Sequence, residues 1–97
     1  DRIVKGVINA NPTAENEVEI SEFYVEPFFK GQGIGRALIE EVIARTKQEG
    51  RKRIFLWVLE ENEQARRFYE ANGFTPTGET DVVGDTGKID LCYELIL

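Results

Sequence analysis

The chain has 97 residues and a formal net charge of −6, with 41% hydrophobic and 31% charged residues. This length fits one domain with a modest core, and the composition is typical of a globular protein rather than a disordered one. No apolar run approaches the roughly 20 residues that a membrane span needs, no signal-peptide pattern is present, and the acidic balance argues against nucleic acid as a partner.

Cysteine, histidine and methionine usage narrows the classes of site. Cys92 is the single cysteine, which excludes an internal disulfide and favours a reducing compartment such as the cytoplasm. The chain has no histidine, so Ser-His and Cys-His catalytic pairs and histidine-containing zinc sites are excluded, and no metal site is predicted. Methionine is absent even at position 1, so Asp1 is not expected to be the natural start.

The predicted elements, in chain order, are strands over residues 2–10 and 17–25, a helix over 36–49, a strand over 53–59, a helix over 63–71, and strands over 80–83 and 88–97. The first strand is expected to end in a turn at Asn11-Pro12, and Pro27 ends the second. A strand–helix–strand order predicts a parallel pair of strands in the middle of the chain.

Two of these elements carry further predictions. Residues 53–59 are apolar on both faces, which predicts a strand covered on both sides of its sheet. Residues 84–87 form a Gly-Asp-Thr-Gly turn between the last two strands, which predicts a hairpin. Asp81, Asp85 and Asp90 lie near this turn, but their spacing does not match a calcium loop.

A glycine-rich loop joins the second strand to the first helix. Gly31, Gly33 and Gly35 alternate with other residues in the stretch KGQGIGR, and glycines cost conformational entropy on folding. Such a loop, placed before a helix, presents backbone N–H groups to one point, where an anion such as phosphate can bind. Neither the P-loop spacing nor the G-x-G-x-x-G dinucleotide fingerprint is present, and a tight turn without a ligand is the alternative.

The loop fits the pattern (Arg/Gln)-x-x-Gly-x-(Gly/Ala), with Lys30 in the place of the usual first residue, and residues 62–74 follow as NEQARRFYEANGF. Together these stretches resemble the acetyl-CoA signature and the N-x-x-A-x-x-F-Y-E-x-x-G-F segment of the GNAT N-acetyltransferase superfamily. The resemblance covers about residue 17 to the end of the chain. It implies an α/β fold with a central mixed sheet flanked by helices, in one domain over residues 1–97, and acetyl-CoA as co-substrate.

The resemblance also implies site residues. Tyr69 is expected to donate a proton to the coenzyme sulfur, and Glu19, eleven residues before Lys30, matches a catalytic glutamate of one branch of the family; Glu22, placed on the opposite face of that strand by simple alternation, and water are the alternatives. A backbone N–H between residues 23 and 25 is expected to hold the developing oxyanion. The residues expected to contact the coenzyme are Phe23, Tyr24, Val25, Lys30, Gly31, Gln32, Gly33, Ile34, Gly35, Arg36, Asn62, Ala65, Phe68 and Tyr69.

The implied activity is direct transfer of acetyl from acetyl-CoA to a primary amine of a small molecule or peptide. A coenzyme-binding or regulatory module without catalysis is the alternative, and a purely structural subunit does not explain the glycine loop. The family fold has a strand and two helices before the first strand predicted here, so the chain is expected to be an N-terminally truncated, C-terminal portion of that domain. Its first strand is then expected to pair with the upstream segment or within a homodimer.

Overall fold

The computed structural model of the chain describes residues 5–97, apart from the side chain of Phe28. The strands are β1 (Gly6–Ala14), β2 (Glu17–Val25), β3 (Arg53–Leu59), β4 (Thr75–Val83) and β5 (Lys88–Ile96), and the helices are α1 (Ile34–Gln48) and α2 (Glu63–Ala71). A 3₁₀ turn over Pro27–Phe29 follows β2. Residues 2–4 of the predicted first strand lie outside the described residues.

The five strands form one mixed sheet in the order β1-β2-β3-β5-β4. β2 and β3 are parallel, as the strand–helix–strand order predicts, and the other neighbouring pairs are antiparallel. Residues 84–87 form the predicted turn between β4 and β5. The expected α/β fold with a central mixed sheet is therefore confirmed.

The core lies between one face of this sheet and the two helices. Alternate residues of β3 point into it, and the buried cluster is Ile20, Ile39, Val42, Ile54, Leu56, Val58, Phe74 and Tyr93. We call the face of the sheet that contacts the two helices the helix face. Phe55, Trp57 and Leu59 project from the opposite face and are only partly buried, so the prediction that β3 is covered on both sides is wrong for the described residues, where α1 and α2 pack on the same face.

Both edge strands run further than predicted because proline is tolerated at a sheet edge. β1 continues through Pro12 to Ala14 with irregular register at Pro12, and β4 begins at Thr75, five residues before the predicted start. The register of β4 shifts between Pro76 and Thr80. A proline removes a ladder hydrogen bond, but an edge strand with a bulge can lack that donor. The predicted turn at Asn11-Pro12 is therefore wrong.

α1 begins two residues before its predicted start. Gly33 is its N-cap in the left-handed conformation, so Gly35, taken as loop, is the second helical residue. Gly50 follows the C-cap with φ +75°, as expected for a glycine that ends a helix. Among residues 5–97 no helix is long and apolar enough to cross a membrane.

An ionic clip joins three strands on the face opposite the helices. Arg53 Nη1 lies 2.8 Å from Glu17 Oε2, and Arg53 Nε lies 2.7 Å from Glu94 Oε1. The guanidinium also stacks 4.7 Å above the ring of Phe55. The clip holds together the first residues of β2 and β3 and the last residues of β5, which lie at the same end of the sheet.

Candidate functional site

The sheet divides where β2 leaves β3. The two strands pair from Glu17 opposite Arg53 to Ile20 opposite Leu56, and no pairing follows. β2 continues beyond Ile20, paired with β1 alone, to Val25 opposite Gly6. The edge of residues 21–25 that faces away from β1 therefore borders a gap instead of a strand, and backbone groups on that edge can meet a ligand.

A bulge at Ser21 sets which side chains of β2 face this gap. Asn9 pairs with Glu22 and Ala10 pairs with Ile20, so Ser21 is an extra residue on β2. The bulge restarts the alternation and brings Glu22 to the same face as Glu19. Asn9 Nδ2 donates a hydrogen bond to Glu22 Oε1 on that face. The prediction that Glu22 lies on the opposite face from Glu19 is therefore wrong.

A cavity of about 460 Å³ lies on the helix side of the gap, a volume suited to a small molecule. Every residue expected to contact a coenzyme lines it except Gln32, whose side chain is exposed. The cavity is lined by Phe23, Tyr24, Val25, Phe29, Lys30, Gly31, Gly33, Ile34, Gly35, Arg36, Asn62, Gln64, Ala65, Phe68 and Tyr69. Residues as far apart in the sequence as Phe23 and Tyr69 therefore line the same cavity.

Two of the loop glycines differ in backbone conformation and in what a side chain would meet there. Gly33 has φ +79°, a conformation that L side chains rarely adopt, and a Cβ there would meet no heavy atom within 4 Å. Gly35 has helical geometry, but a Cβ there would lie 3.4 Å from the ring of Phe68 and 3.5 Å from that of Phe23. Gly33 therefore gives the turn its shape, whereas a Cβ at Gly35 would be in ordinary contact with the aromatic wall of the cavity.

The loop end of the cavity is electropositive in an acidic protein. Gly33 offers no side-chain cap, and no acidic residue lies in the first turn of α1, so the free N–H groups of that turn remain available. Lys30 has no ion-pair partner among residues 5–97, and Arg36 is in loose contact with Glu40 at 3.4 Å. None of the lining residues is acidic. This end of the cavity is suited to a phosphate-bearing ligand.

Tyr69 also lines the cavity, within a cluster of aromatic rings. Its ring centroid is 6.1 Å from that of Phe23, 5.6 Å from that of Phe68 and 6.0 Å from that of Phe74. Burial among these rings raises the pKa of the Tyr69 hydroxyl, because the phenolate would be poorly solvated. The hydroxyl has no hydrogen-bond partner among the described residues, so its proton is free for a ligand.

Asn62 has two roles available to it. Its Oδ1 accepts a hydrogen bond of 3.2 Å from the Ala65 backbone N–H, so Asn62 is the N-cap of α2. Its Nδ2 has no partner among the described residues and remains free at the cavity wall. An amide donor at this position can bind the carbonyl groups of a flexible chain.

Glu19 does not line the cavity. It lies in the paired part of β2, opposite Asn11 and Phe55, and projects from the face away from the helices. Tyr69 is on the helix face, so the two predicted catalytic groups lie on opposite sides of the sheet. The pairing of β2 with β3 ends one residue after Glu19, so a molecule in the gap can approach both groups.

Phe29 and Gln64 line the cavity but were not predicted to do so. Phe29 lies in the 3₁₀ turn directly before Lys30, and the Lys5 ammonium lies 5.2 Å from the centre of its ring. Gln64 is in the first turn of α2, beside Asn62. Proximity in sequence to predicted contacts was the available indication for both, because neither residue type implies a ligand by itself.

The remaining candidate groups lie elsewhere. Among residues 5–97, no three Cys, Asp or Glu side chains are arranged to hold a metal ion. Cys92 is 2% exposed and does not line the cavity. Burial raises the pKa of its thiol, as expected for a core residue rather than a nucleophile.

The fold is similar to those of solved acetyltransferase-family structures. Ard1 from Thermoplasma volcanium superimposes with a TM-score of 0.89 at 24% identity, covering 95% of this chain and 62% of that one. A GNAT family acetyltransferase from Elizabethkingia anophelis with acetyl-CoA bound gives 0.83 at 20% identity, covering 98% of this chain and 70% of that one. These likenesses show that the fold is the one that GNAT proteins share.

Sequence comparison agrees with this fold. An uncharacterized N-acetyltransferase of Methanocaldococcus jannaschii is 48% identical over 56 residues, which are 58% of this chain. The chain spans 25% of the length of that relative. The sequence profile described as "Acetyltransferase (GNAT) family" matches residues 2–74. Since that match takes in well over half of the residues, the chain belongs to the GNAT acetyltransferase family.

Proposed function

We propose that this chain binds acetyl-CoA in the cavity and transfers acetyl directly to a primary amine of a small molecule or peptide. The observation that carries the proposal is the cavity itself, which is lined both by a cationic glycine loop without acidic residues and by Tyr69, whose hydroxyl has no partner among the described residues. When bound there, acetyl-CoA would supply a thioester, whose acetyl passes to the amine nitrogen as the carbon–sulfur bond breaks.

Different groups of the chain suit different parts of this ligand. The free N–H groups of the first turn of α1, with Lys30 and Arg36, suit the pyrophosphate. The unpaired edge of residues 23–25 and the Asn62 amide suit the amide-bearing arm. A backbone N–H on the same edge would stabilise negative charge that develops on the carbonyl oxygen.

Tyr69 is proposed as the proton donor to the departing sulfur. A thiolate whose conjugate acid has a pKa of about 8.5 is a good leaving group and needs only a weak acid, and a phenol that is protonated at neutral pH can serve as one. The ordinary pKa of a tyrosine hydroxyl is about 10, and burial raises that of Tyr69. The hydroxyl therefore keeps its proton at neutral pH. The free hydroxyl on the cavity wall supports the assignment.

Glu19 is proposed as the base that removes a proton from the amine. A lysine-like amine has a pKa of about 10.4, so its deprotonation at pH 7 costs ~4.6 kcal/mol without help. The Glu19 carboxylate has no hydrogen-bond partner among residues 5–97 and lies next to the point where β2 leaves β3. Glu22 is beyond that point, but its carboxylate is bonded to Asn9. An acceptor entering from the face opposite the helices would meet Glu19 before Tyr69.

The proposal is tested by release of free coenzyme A thiol from acetyl-CoA with a panel of small amines, peptides and aminoglycoside-type antibiotics. Cys92 adds little background in a thiol assay because it is buried. We expect Tyr69→Phe to bind acetyl-CoA with nearly unchanged affinity and to lower the rate about 10²-fold. Tight binding without turnover on any acceptor would instead identify a coenzyme-binding module, and absence of binding would refute the proposal.

A further inference from the structure

α2 forms one wall of the cavity but has little packing of its own to hold it. It has nine residues, and none of them is fully buried. A helix this short is not stable alone, so contacts with the rest of the protein must fix its position. Asn62, Ala65 and Tyr69 all depend on that position, because all three face the cavity from this helix or its cap.

β5 supplies a polar contact to the middle and the end of α2. Tyr93 is 0% exposed, and its hydroxyl donates a hydrogen bond of 2.7 Å to Glu70 Oε2. The same hydroxyl oxygen accepts a hydrogen bond of 3.1 Å from Arg66 Nε. Arg66 and Glu70 are one helical turn apart, so one buried hydroxyl holds two successive turns of α2.

The same strand also holds the segment that leads into α2. The Glu60 backbone N–H donates to the Ile89 carbonyl at 2.8 Å, and Arg66 Nη1 donates to the Glu60 carbonyl at 2.9 Å. Lys88 Nζ lies 2.8 Å from Glu61 Oε1. Arg66 thus connects the Tyr93 hydroxyl to the turn that precedes Asn62.

We propose that the Tyr93 hydroxyl is a positioning group: it sets the place of α2 against the sheet and, through it, the place of Tyr69. Glu70 directly follows Tyr69, and Arg66 precedes it by three residues, so the two bonds to Tyr93 flank it. Phe23 and Phe74 contact the Tyr69 ring from outside the helix, but these are contacts between rings and include no hydrogen bond. The two bonds to Tyr93 are directional and oppose movement of α2 along its axis. The effect on transfer rests on the proposed function, whereas the effect on α2 does not.

Tyr93→Phe isolates the hydroxyl, because the ring that packs in the core is kept. Amide hydrogen exchange of the unliganded protein is the first measurement. We expect exchange over residues 63–72 to accelerate about threefold to tenfold, with exchange in α1 unchanged. Glu94→Gln is the matched control, since it alters the next residue of β5 on the opposite face and removes the negative charge that pairs with Arg53. It should leave exchange in α2 unchanged.

Conservative replacement and a double-mutant cycle give the second measurement. Glu70→Ala removes the acceptor of the Tyr93 hydroxyl and should accelerate exchange in α2 as Tyr93→Phe does. Glu70→Gln keeps an acceptor oxygen and should exchange as slowly as wild type. In turnover, Tyr93→Phe should lower kcat about threefold to tenfold with little change in acetyl-CoA affinity, and this loss should vanish in a Tyr69→Phe background.

The outcomes separate the two proposals. Unchanged exchange over residues 63–72 in Tyr93→Phe overturns the inference whether or not the protein is a transferase. A kcat loss that persists in full in the Tyr69→Phe background overturns the claim that Tyr93 acts through Tyr69. An inactive wild-type protein refutes the proposed function and leaves the exchange experiment to decide the position of α2.

Discussion

The two halves of β2 lie in the same strand but are stabilised in different ways. From Glu17 to Ile20 the strand has a partner on both sides, Val18 and Ile20 are buried, and the Arg53 clip holds its first residue. From Ser21 to Val25 it has a partner on one side only, its alternation is interrupted by a bulge, and Tyr24 is 51% exposed. We call these the paired half and the open half.

The comparison separates the residues that hold the fold from those that can bind a ligand. The open half forgoes ladder hydrogen bonds to β3, which leaves backbone groups for another molecule and a space for it to enter. The paired half offers no such space, but it fixes the strand from which the open half extends. Substitutions near the open half should therefore affect ligand binding, and substitutions near the paired half should affect stability.

The largest expected effect is at the loop that faces the open half. Gly33→Asp places a negative charge at the end of the cavity where an anion is expected and should weaken acetyl-CoA binding about 100-fold or more. Gly50→Asp is the matched control, because Gly50 has φ +75° against +79° for Gly33 and equally open surroundings. Calorimetry should show weak binding in the first variant alone. Equal affinity in both would exclude the loop from coenzyme binding.

The second effect concerns the paired half and should leave binding untouched. Arg53→Ala leaves Glu17 and Glu94 without their shared cation in a partly buried site and removes the stacking on Phe55. We expect a loss of about 2 kcal/mol in the free energy of unfolding, measured by urea denaturation. Arg45→Ala breaks an exposed pair with Glu41 and should cost less than about 0.5 kcal/mol. A loss of coenzyme affinity in Arg53→Ala would contradict the division between the two halves.

The parts of the fold that local sequence determines were predictable. The bounds of β2, β3 and α2 match the structure, because proline, asparagine and glycine mark their ends with specific backbone requirements. The cavity wall was predictable as well, since the family resemblance placed two distant segments at one ligand. The end of β1 was predicted too early and the start of β4 too late, because whether a proline breaks a strand depends on its being at a sheet edge, which only the assembled sheet decides.

The bulge at Ser21 could not be read from the residues around it. Simple alternation places Glu19 and Glu22 on opposite faces, whereas the extra residue brings them to the same face. A register shift arises from the pairing of two strands that differ in length between fixed points, and that pairing is a tertiary property. The polar contact of Tyr93 with Arg66 and Glu70 was missed for the same reason, since it joins residues more than 20 positions apart.

The third effect distinguishes the two carboxylates that the bulge brings together. If Glu19 is the base, Glu19→Gln should lower turnover about tenfold near pH 7 and regain much of it at high pH, where the amine is already neutral. Glu22→Gln removes a carboxylate of the open half on the same face and serves as the control, with turnover close to wild type. The measurement is the pH dependence of kcat/KM. A loss that does not vary with pH, or a larger loss in Glu22→Gln, would remove Glu19 from the mechanism.

The smallest effect is a pH dependence of stability that comes from Tyr69 at the end of the open half. Burial among rings raises the pKa of its hydroxyl in the folded state above the unfolded value of about 10. The stabilisation is therefore complete below pH 10 and is lost as the pH rises above it, because the unfolded state then releases the proton more readily. Tyr69→Phe has no such proton, so wild type should lose stability more steeply than the variant as the pH rises above about 10. The other ionisable groups are the same in both proteins, so the difference between the two urea-denaturation curves isolates Tyr69. Parallel pH dependence of the two proteins would show that the hydroxyl is well solvated, and the case for Tyr69 as a proton donor held in place by burial would fail with it.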